Sequence, residues 1–273
     1  MTLPAPDFSR LGPSPGARLA IAGGCGGIGR RLVDIAVDQG LEVAVIDLPE
    51  SLERHVLPAG VATIPYDARD DDGALHAFEK ITEMWDGSLH GFVHLPGYMS
   101  PPKMIEELTA HEIDEALSIN LRSAFLAVQA ALPLLRQGAT EFESASAMVF
   151  AASGLATLVE KTTGTYSAAK AGIIALTKGL AKENAPSVRA NCIAPGAVDT
   201  AFLRGGTGRG GDVNPVDHAD MAGMNNSAML STIPLGRIAV PDDVVGPILF
   251  LLSDKSRFMT GQTLYINGGR LMV

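Results

Sequence analysis

Two groups of residues have types and spacings that suit chemistry. The first is Ala22-Gly23-Gly24-Cys25-Gly26-Gly27-Ile28-Gly29, set between a short aliphatic run and a helix-forming stretch over 30–39. Glycines in that position let the backbone turn sharply and approach a pyrophosphate, which sits over the free N–H groups of a helix N-terminus. The spacing fits two patterns: Gly24, Gly26 and Gly29 make GxGxxG, while Gly23, Gly27 and Gly29 make GxxxGxG. A Gly-rich turn can also be only a tight strand-to-helix connection, but here an acid stands where a dinucleotide site needs one. Asp47 ends the second aliphatic run, 18 residues past Gly29. A carboxylate there hydrogen-bonds the adenosine ribose hydroxyls and repels a 2′-phosphate, which favours NAD over NADP. No basic residue lies inside the loop; Arg30 and Arg31 follow it. The second group is Tyr166 and Lys170, with Ser153 13 residues before the tyrosine. A four-residue step puts phenol and ammonium on one helix face. A free phenol titrates near ~10, and a neighbouring ammonium lowers that value and suits the phenol to general acid–base work. The YxxxK pattern is common by itself. Ser153 adds weight because it follows an apolar run, and doubly wound folds place their chemistry at strand ends.

These residues need strands and helices to hold them. The runs Arg18–Ala22, Glu42–Asp47, 61–66, 89–95, 147–152, 188–194 and 263–267 predict strands. They are apolar on both faces and alternate with helix-length segments, which predicts a Rossmann-type α/β fold: a doubly wound, seven-stranded parallel sheet in a single domain. One helix is predicted from Thr109 to Leu135, with Ile113, Leu117, Leu121, Phe125, Val128 and Leu132 on one face. Thr109 and Glu112 fit a capping box at its start, and Gly138 a stop.

Composition narrows the class. Of 273 residues, 47% are hydrophobic and only 5% aromatic, so the core is aliphatic. A net charge of -9 argues against nucleic acid, whose phosphates need a basic surface. No uninterrupted apolar run approaches the ~20 residues of a membrane span. The first residues, with neither a basic nor an apolar block, suggest a flexible arm over 1–16 and no signal peptide, ahead of the domain at 17–273. Cys25 and Cys192 make no disulfide framework, and the six histidines (55, 76, 90, 94, 111 and 218) are scattered, so no metal site is expected. A reducing cytoplasm suits that cysteine usage.

With these motifs in order, the sequence resembles a short-chain dehydrogenase/reductase of the single-domain form over nearly the whole chain after residue 16. Carried with the glycine loop are Asp67, Asn120 in Ser118-Ile119-Asn120, Ser153, the Tyr166/Lys170 pair, Pro195-Gly196 with Thr200, and Asn267-Gly268-Gly269. The resemblance implies hydride transfer between NAD and a secondary alcohol or ketone. Tyr166 would exchange a proton with the substrate oxygen, and Lys170 would lower the phenol pKa and hold the nicotinamide ribose. Ser153 would steady the substrate oxygen, and Asn120 would hold a relay water. Cofactor contacts would come from Gly23, Cys25, Gly27, Ile28 and Gly29, then Asp47, Leu48, Asp67 and Ala68. Leu95, Pro96, Gly97, Pro195, Gly196, Val198 and Thr200 would complete them, with Tyr166 and Lys170. Two departures stand out: Ala22 replaces the family's Thr, and His94-Leu95-Pro96-Gly97 replaces Asn-Asn-Ala-Gly. In the family the Thr hydroxyl braces that fourth-strand segment, so losing both sides suggests a repacked joint and a changed adenosine half.

The segment 200–232, with five glycines between Gly205 and Gly211 and then Met221, Met224 and Met229, occupies the place of the family's substrate-covering loop. A plain surface insertion would have the same composition. Few cations lie there, which favours an uncharged, partly apolar substrate, with Tyr98, Leu155, Val159 and Met221 as contacts beside Ser153 and Tyr166. The resemblance implies a homotetramer or homodimer paired through the 109–135 and Tyr166 helices, although burial on one side gives the same pattern. Two other functions share the motifs: an NADP-linked ketoacyl reductase and a silent dinucleotide-binding regulator.

Overall fold

Strands that are apolar on both faces must be covered above and below. A computed structural model, which describes residues 8–100, 102–141, 144–204 and 230–273, has that arrangement. Strands β1 (Arg18–Ala22), β2 (Glu42–Asp47), β3 (Ala62–Pro65), β4 (Gly91–His94), β5 (Ser146–Ala151), β6 (Val188–Pro195) and β7 (Thr263–Ile266) form one sheet. Every pairing is parallel, in the order β3-β2-β1-β4-β5-β6-β7. Successive side chains on a strand point to opposite faces, so each strand feeds two cores. Ile21, Val45 and Val149 pack under helices α1 (Gly27–Asp38) and α7 (Pro241–Leu252). Ala20, Phe92 and Phe150 pack under α3 (Gly73–Trp85), α5 (Ser123–Glu141) and α6 (Gly164–Asn184). A short α2 (Pro49–Arg54) follows β2. The strand order reverses between β1 and β4, which opens a crevice at the carboxyl ends of the strands.

The single helix predicted over 109–135 is not continuous α. Helix α4 (Ala110–Leu117) leads into a π turn, Ser118–Arg122, and only then into α5. The capping box is present: Thr109 Oγ1 accepts the Glu112 N–H at 3.2 Å, and the Glu112 carboxylate accepts the Thr109 N–H at 2.9 Å. Gly138 does not stop α5, which runs to Glu141. A Cβ at Gly138 would stand 2.1 Å from the Leu89 carbonyl oxygen, so the glycine serves the close approach of helix to strand entry. The run Ala110–Glu141 is long and apolar enough to cross a membrane by length and composition, yet Ala124, Ala127, Val128, Ala131 and Leu135 are packed onto the sheet. The end of the expected loose arm, residues 14–16, is tied down, with Gly16 N–H donating to Gly40 O at 2.8 Å and Ala17 N–H to Ser14 O at 3.1 Å. The first seven residues of the expected arm and most of the expected lid (205–229, with Met221) lie outside the described residues.

Candidate active site

The crevice is a cleft of about 760 Å³. Its walls bring together residues remote in sequence: the glycine loop, the ends of β2 to β6, α6 and the chain's last turn. Every cofactor position expected from sequence lines it, from Gly23, Cys25, Gly27, Ile28 and Gly29 to Pro195, Gly196, Val198 and Thr200.

At one end the backbone makes the site. Gly23 has a positive φ of 80°, and its N–H donates to Ile46 O at 2.9 Å. A Cβ at Gly29 would stand 2.2 Å from Gly23 O, and one at Gly27 2.6 Å from Thr200 Cγ2. Helix α1 therefore starts against bare backbone, with Gly26 as its N-cap and no side chain over its first N–H groups. Such a cradle fits a dinucleotide pyrophosphate. Asp47 stands beside it. Its two carboxylate oxygens accept the N–H of Cys25 at 2.7 Å and of Leu48 at 2.8 Å, while burial raises its pKa. Burial, and then the Asp47 charge, push the Cys25 thiol up to about 12, so it stays protonated. Asp67 is gripped by Arg69 through Nε at 3.0 and 3.1 Å.

At the other end side chains make the site. Ser153 follows β5, its Oγ accepting the Leu155 N–H at 3.2 Å, and its hydroxyl favours the Tyr166 phenolate. Lys170 lies one turn along α6, with Nζ 5.7 Å from the Tyr166 ring centroid. The ammonium donates to Ala151 O at 2.9 Å and Pro96 O at 3.2 Å. Burial raises Tyr166 to about 12 and lowers Lys170 to about 8. The expectation of a lowered phenol is thus corrected: loss of water around a buried phenol dominates, and the group that offsets it is Ser153. Asn120 is placed one layer back and does not line the cleft. Its Oδ1 accepts the Tyr98 N–H at 3.0 Å, and its Nδ2 donates to Tyr98 O at 2.7 Å and Ala116 O at 2.9 Å.

The family described as enoyl-(acyl carrier protein) reductase matches residues 23–270. The chain belongs to the short-chain dehydrogenase/reductase family. A probable galactose dehydrogenase of Rhizobium meliloti is 33% identical, over 98% of the chain and 99% of that relative. An uncharacterized short-chain type dehydrogenase/reductase of Sinorhizobium fredii is 30% identical over 95% of the chain, which spans 44% of that longer relative. Among solved structures, the ligand-free aldohexose dehydrogenase of Thermoplasma acidophilum superposes with a TM-score of 0.81 at 25% identity, covering 94% of each chain.

Within this dehydrogenase/reductase, the structure also shows what the sequence reading missed. Val159 is 59% exposed and does not line the cleft; Leu158 does, with Leu155, Tyr98, Met99 and Phe202. The Phe202 ring centroid is 6.2 Å from that of Tyr166. Asn267, Arg270 and Leu271 reach the cleft from the chain's last turn, where Gly268 and Gly269 take positive φ. The segment 200–232 is poor in cations, but Arg270 reaches the cleft from elsewhere in the chain and pairs with Glu160 at 2.9 Å. Arg30, Arg54 and His55 line the cleft close to Asp47, with Arg30 Nη1 3.4 Å from His55 Nδ1. Helical position could have flagged Arg30, which follows the glycine loop directly. Nothing local flagged Arg54, which β2 and α2 deliver. Among the described residues no three His, Cys, Asp or Glu side chains cluster for a metal.

Proposed function

We propose that the chain is an NAD-dependent dehydrogenase/reductase that interconverts a secondary alcohol and its ketone. The observation that carries this reading is that Ser153, Tyr166 and Lys170 line one wall of the cleft, with the Lys170 ammonium 5.7 Å from the Tyr166 ring centroid. Bound in the glycine cradle, a nicotinamide dinucleotide supplies the hydride acceptor or donor. In alcohol oxidation Tyr166 Oη takes the substrate hydroxyl proton, and in ketone reduction it returns one. Lys170, held by two carbonyl oxygens, would hold the nicotinamide ribose and keeps an ammonium beside the phenol as its charge develops. Ser153 donates to the substrate oxygen and steadies developing charge. The Asn120 side chain is spent on Tyr98, so it builds the wall, and a relay water at this position would meet its backbone. Asp67 with Ala68 would bracket the adenine, Leu95, Pro96 and Gly97 would line the adenosine half, and Pro195, Gly196, Val198 and Thr200 would line the nicotinamide and its phosphate. Tyr98, Leu155, Leu158 and Phe202 make an apolar wall that suits an uncharged, partly apolar substrate. The protein works in the cytoplasm as a homotetramer or homodimer paired through α4–α5 and α6.

A second reading, NADP as the cofactor, has one specific observation in its favour: Arg30 and Arg54 flank the same end as Asp47. Titration with both reduced cofactors separates the two, since tighter binding of NADPH would overturn the reading of Asp47. A panel of secondary alcohols with each oxidised cofactor, repeated with Tyr166→Phe, tests the activity. Unchanged turnover in that variant would sink the mechanism.

A further inference from the structure

The chemistry above leaves one buried polar pair unused. His94, the last residue of β4, is 2% exposed, with its ring centroid 6.2 Å from Phe92 and 6.3 Å from Phe150. Its Nε2 lies 3.2 Å from Ser123 Oγ, and that oxygen lies 2.7 Å from the Ile119 carbonyl oxygen. A serine hydroxyl has a single hydrogen. The shorter contact takes it, so Ser123 donates to Ile119 and accepts from His94. That requires the Nε2–H tautomer of a neutral imidazole. Burial and the Lys170 charge favour the same neutral form, pushing the imidazole pKa down to about 3.

Ile119 belongs to the π turn, where the backbone ladder is out of α register: Ser123 N–H reaches back to Ser118 O. Side chains bond two carbonyls of this stretch: Ser123 Oγ donates to Ile119 O in the turn and Asn120 Nδ2 to Ala116 O at the end of α4. From this turn Asn120 clamps both backbone groups of Tyr98, four residues beyond His94. Between them lies Pro96, whose carbonyl accepts from Lys170. On its other side the turn meets α6, where a Cβ at Gly172 would stand 2.8 Å from Leu121 Cδ2. The turn is thus wedged between the strand that carries His94 and the helix that carries Tyr166 and Lys170.

We infer that His94 is a positioning residue: through Ser123 it holds the π turn, and with it the Asn120 clamp on Tyr98 and the Pro96 carbonyl that orients Lys170. The kinetic consequence rests on the function proposed above, whereas the hydrogen-bond chain does not. If the brace is cut, Pro96 O is free to drift and Lys170 holds its charge less firmly. The Tyr166 phenolate then loses support, and its formation moves to higher pH.

The test uses the full-length protein. Long-range proton–nitrogen spectra of histidine-labelled wild type are expected to show His94 as the Nε2–H tautomer, and hydrogen exchange to show a protected Tyr98 amide. Ser123→Ala and His94→Leu should lower kcat for alcohol oxidation about tenfold or more, as small displacements of positioned groups do. They should also raise the acid limb of the kcat/KM profile by about half a pH unit and release the Tyr98 amide. His94→Gln, which keeps an N–H donor, should restore both. The Nδ1–H tautomer would overturn the inference, as would a Ser123→Ala protein with wild-type kcat, pH limb and Tyr98 exchange. If His94→Leu does not fold, the wild-type tautomer and Ser123→Ala still decide. If wild type turns over no alcohol, the proposed function fails, while tautomer and exchange still judge the brace.

Discussion

At the adenosine end of the cleft, the groups that face a ligand are backbone N–H groups laid bare by Gly26, Gly27 and Gly29, whereas at the other end they are the side chains of Ser153, Tyr166 and Lys170. The first end is specified by the absence of side chains, since a Cβ at Gly29 or Gly27 would fall within 2.6 Å of neighbouring atoms. The second is specified by burial, with exposures of 9%, 6% and 2% for the three side chains. Backbone amides carry no titratable proton, so the pyrophosphate contacts of the glycine loop should hold alike across pH, with Asp47 the titratable group beside them. The buried end takes its proton affinities from desolvation, so its chemistry follows pH and the packing behind it.

The largest expected effect isolates the side-chain end. Tyr166→Phe should cost about 10²–10⁴-fold in kcat with dinucleotide affinity little changed, by steady-state rates and fluorescence titration of the reduced cofactor. A matching loss of affinity would mean that the two ends are not separable. The converse variant, Gly29→Ala, must displace Gly23 O; it should weaken cofactor binding at least about tenfold and cost about 1–3 kcal/mol in urea unfolding. Undiminished binding would break the claim that bare backbone makes that end. Asp47→Asn removes the charge that repels a 2′-phosphate and should shift the NADH-to-NADPH affinity ratio about tenfold toward NADPH. No shift would leave Arg30 and Arg54 in control of that discrimination.

A smaller effect concerns buried protons. Burial lowers His94 to about 3 and His90 to about 4, from 6.5. The unfolded chain therefore binds more protons than the folded one between those values and 6.5. Stability should fall as pH drops through that window, and be unaffected by these groups above it. Urea midpoints from pH 7 down to 4 should show the fall, and His94→Gln should reduce it. The smallest effect is local to neither end: Thr109→Ala should cost about 1 kcal/mol by loss of the cap on α4, with turnover intact.

How much was legible follows from the range of the forces involved. The capping box closes between Thr109 and Glu112 and follows the sequence spacing, and the glycine loop and Asp47 are legible from residue type and place after a strand, although their contacts reach to Ile46, Thr200 and Cys25. The strands are legible too, to within a residue or two at each end, because period and apolar content are local. The π turn at Asn120 was not legible: its hydrogen bonds close through Ser123 onto His94 and through Asn120 onto Tyr98, both on another element. Gly138 looked like a stop because a glycine near a helix end usually is one, and only the Leu89 carbonyl shows why α5 runs past it. Val159 and Leu158 are adjacent in sequence, and the choice of which one faces the cleft belongs to the fold of a short loop.

The sequence by itself determined the order of strands and helices, the bare-backbone cradle and which residue types meet at the strand ends, because these rest on periodicity and on the steric freedom of glycine. Only the tertiary structure decided which end Arg54 and Arg270 face, why Asn120 sits behind the wall, and whether Tyr166 titrates high or low. Those outcomes depend on distance and dehydration between groups far apart in the chain, and neither quantity is written in residue spacing.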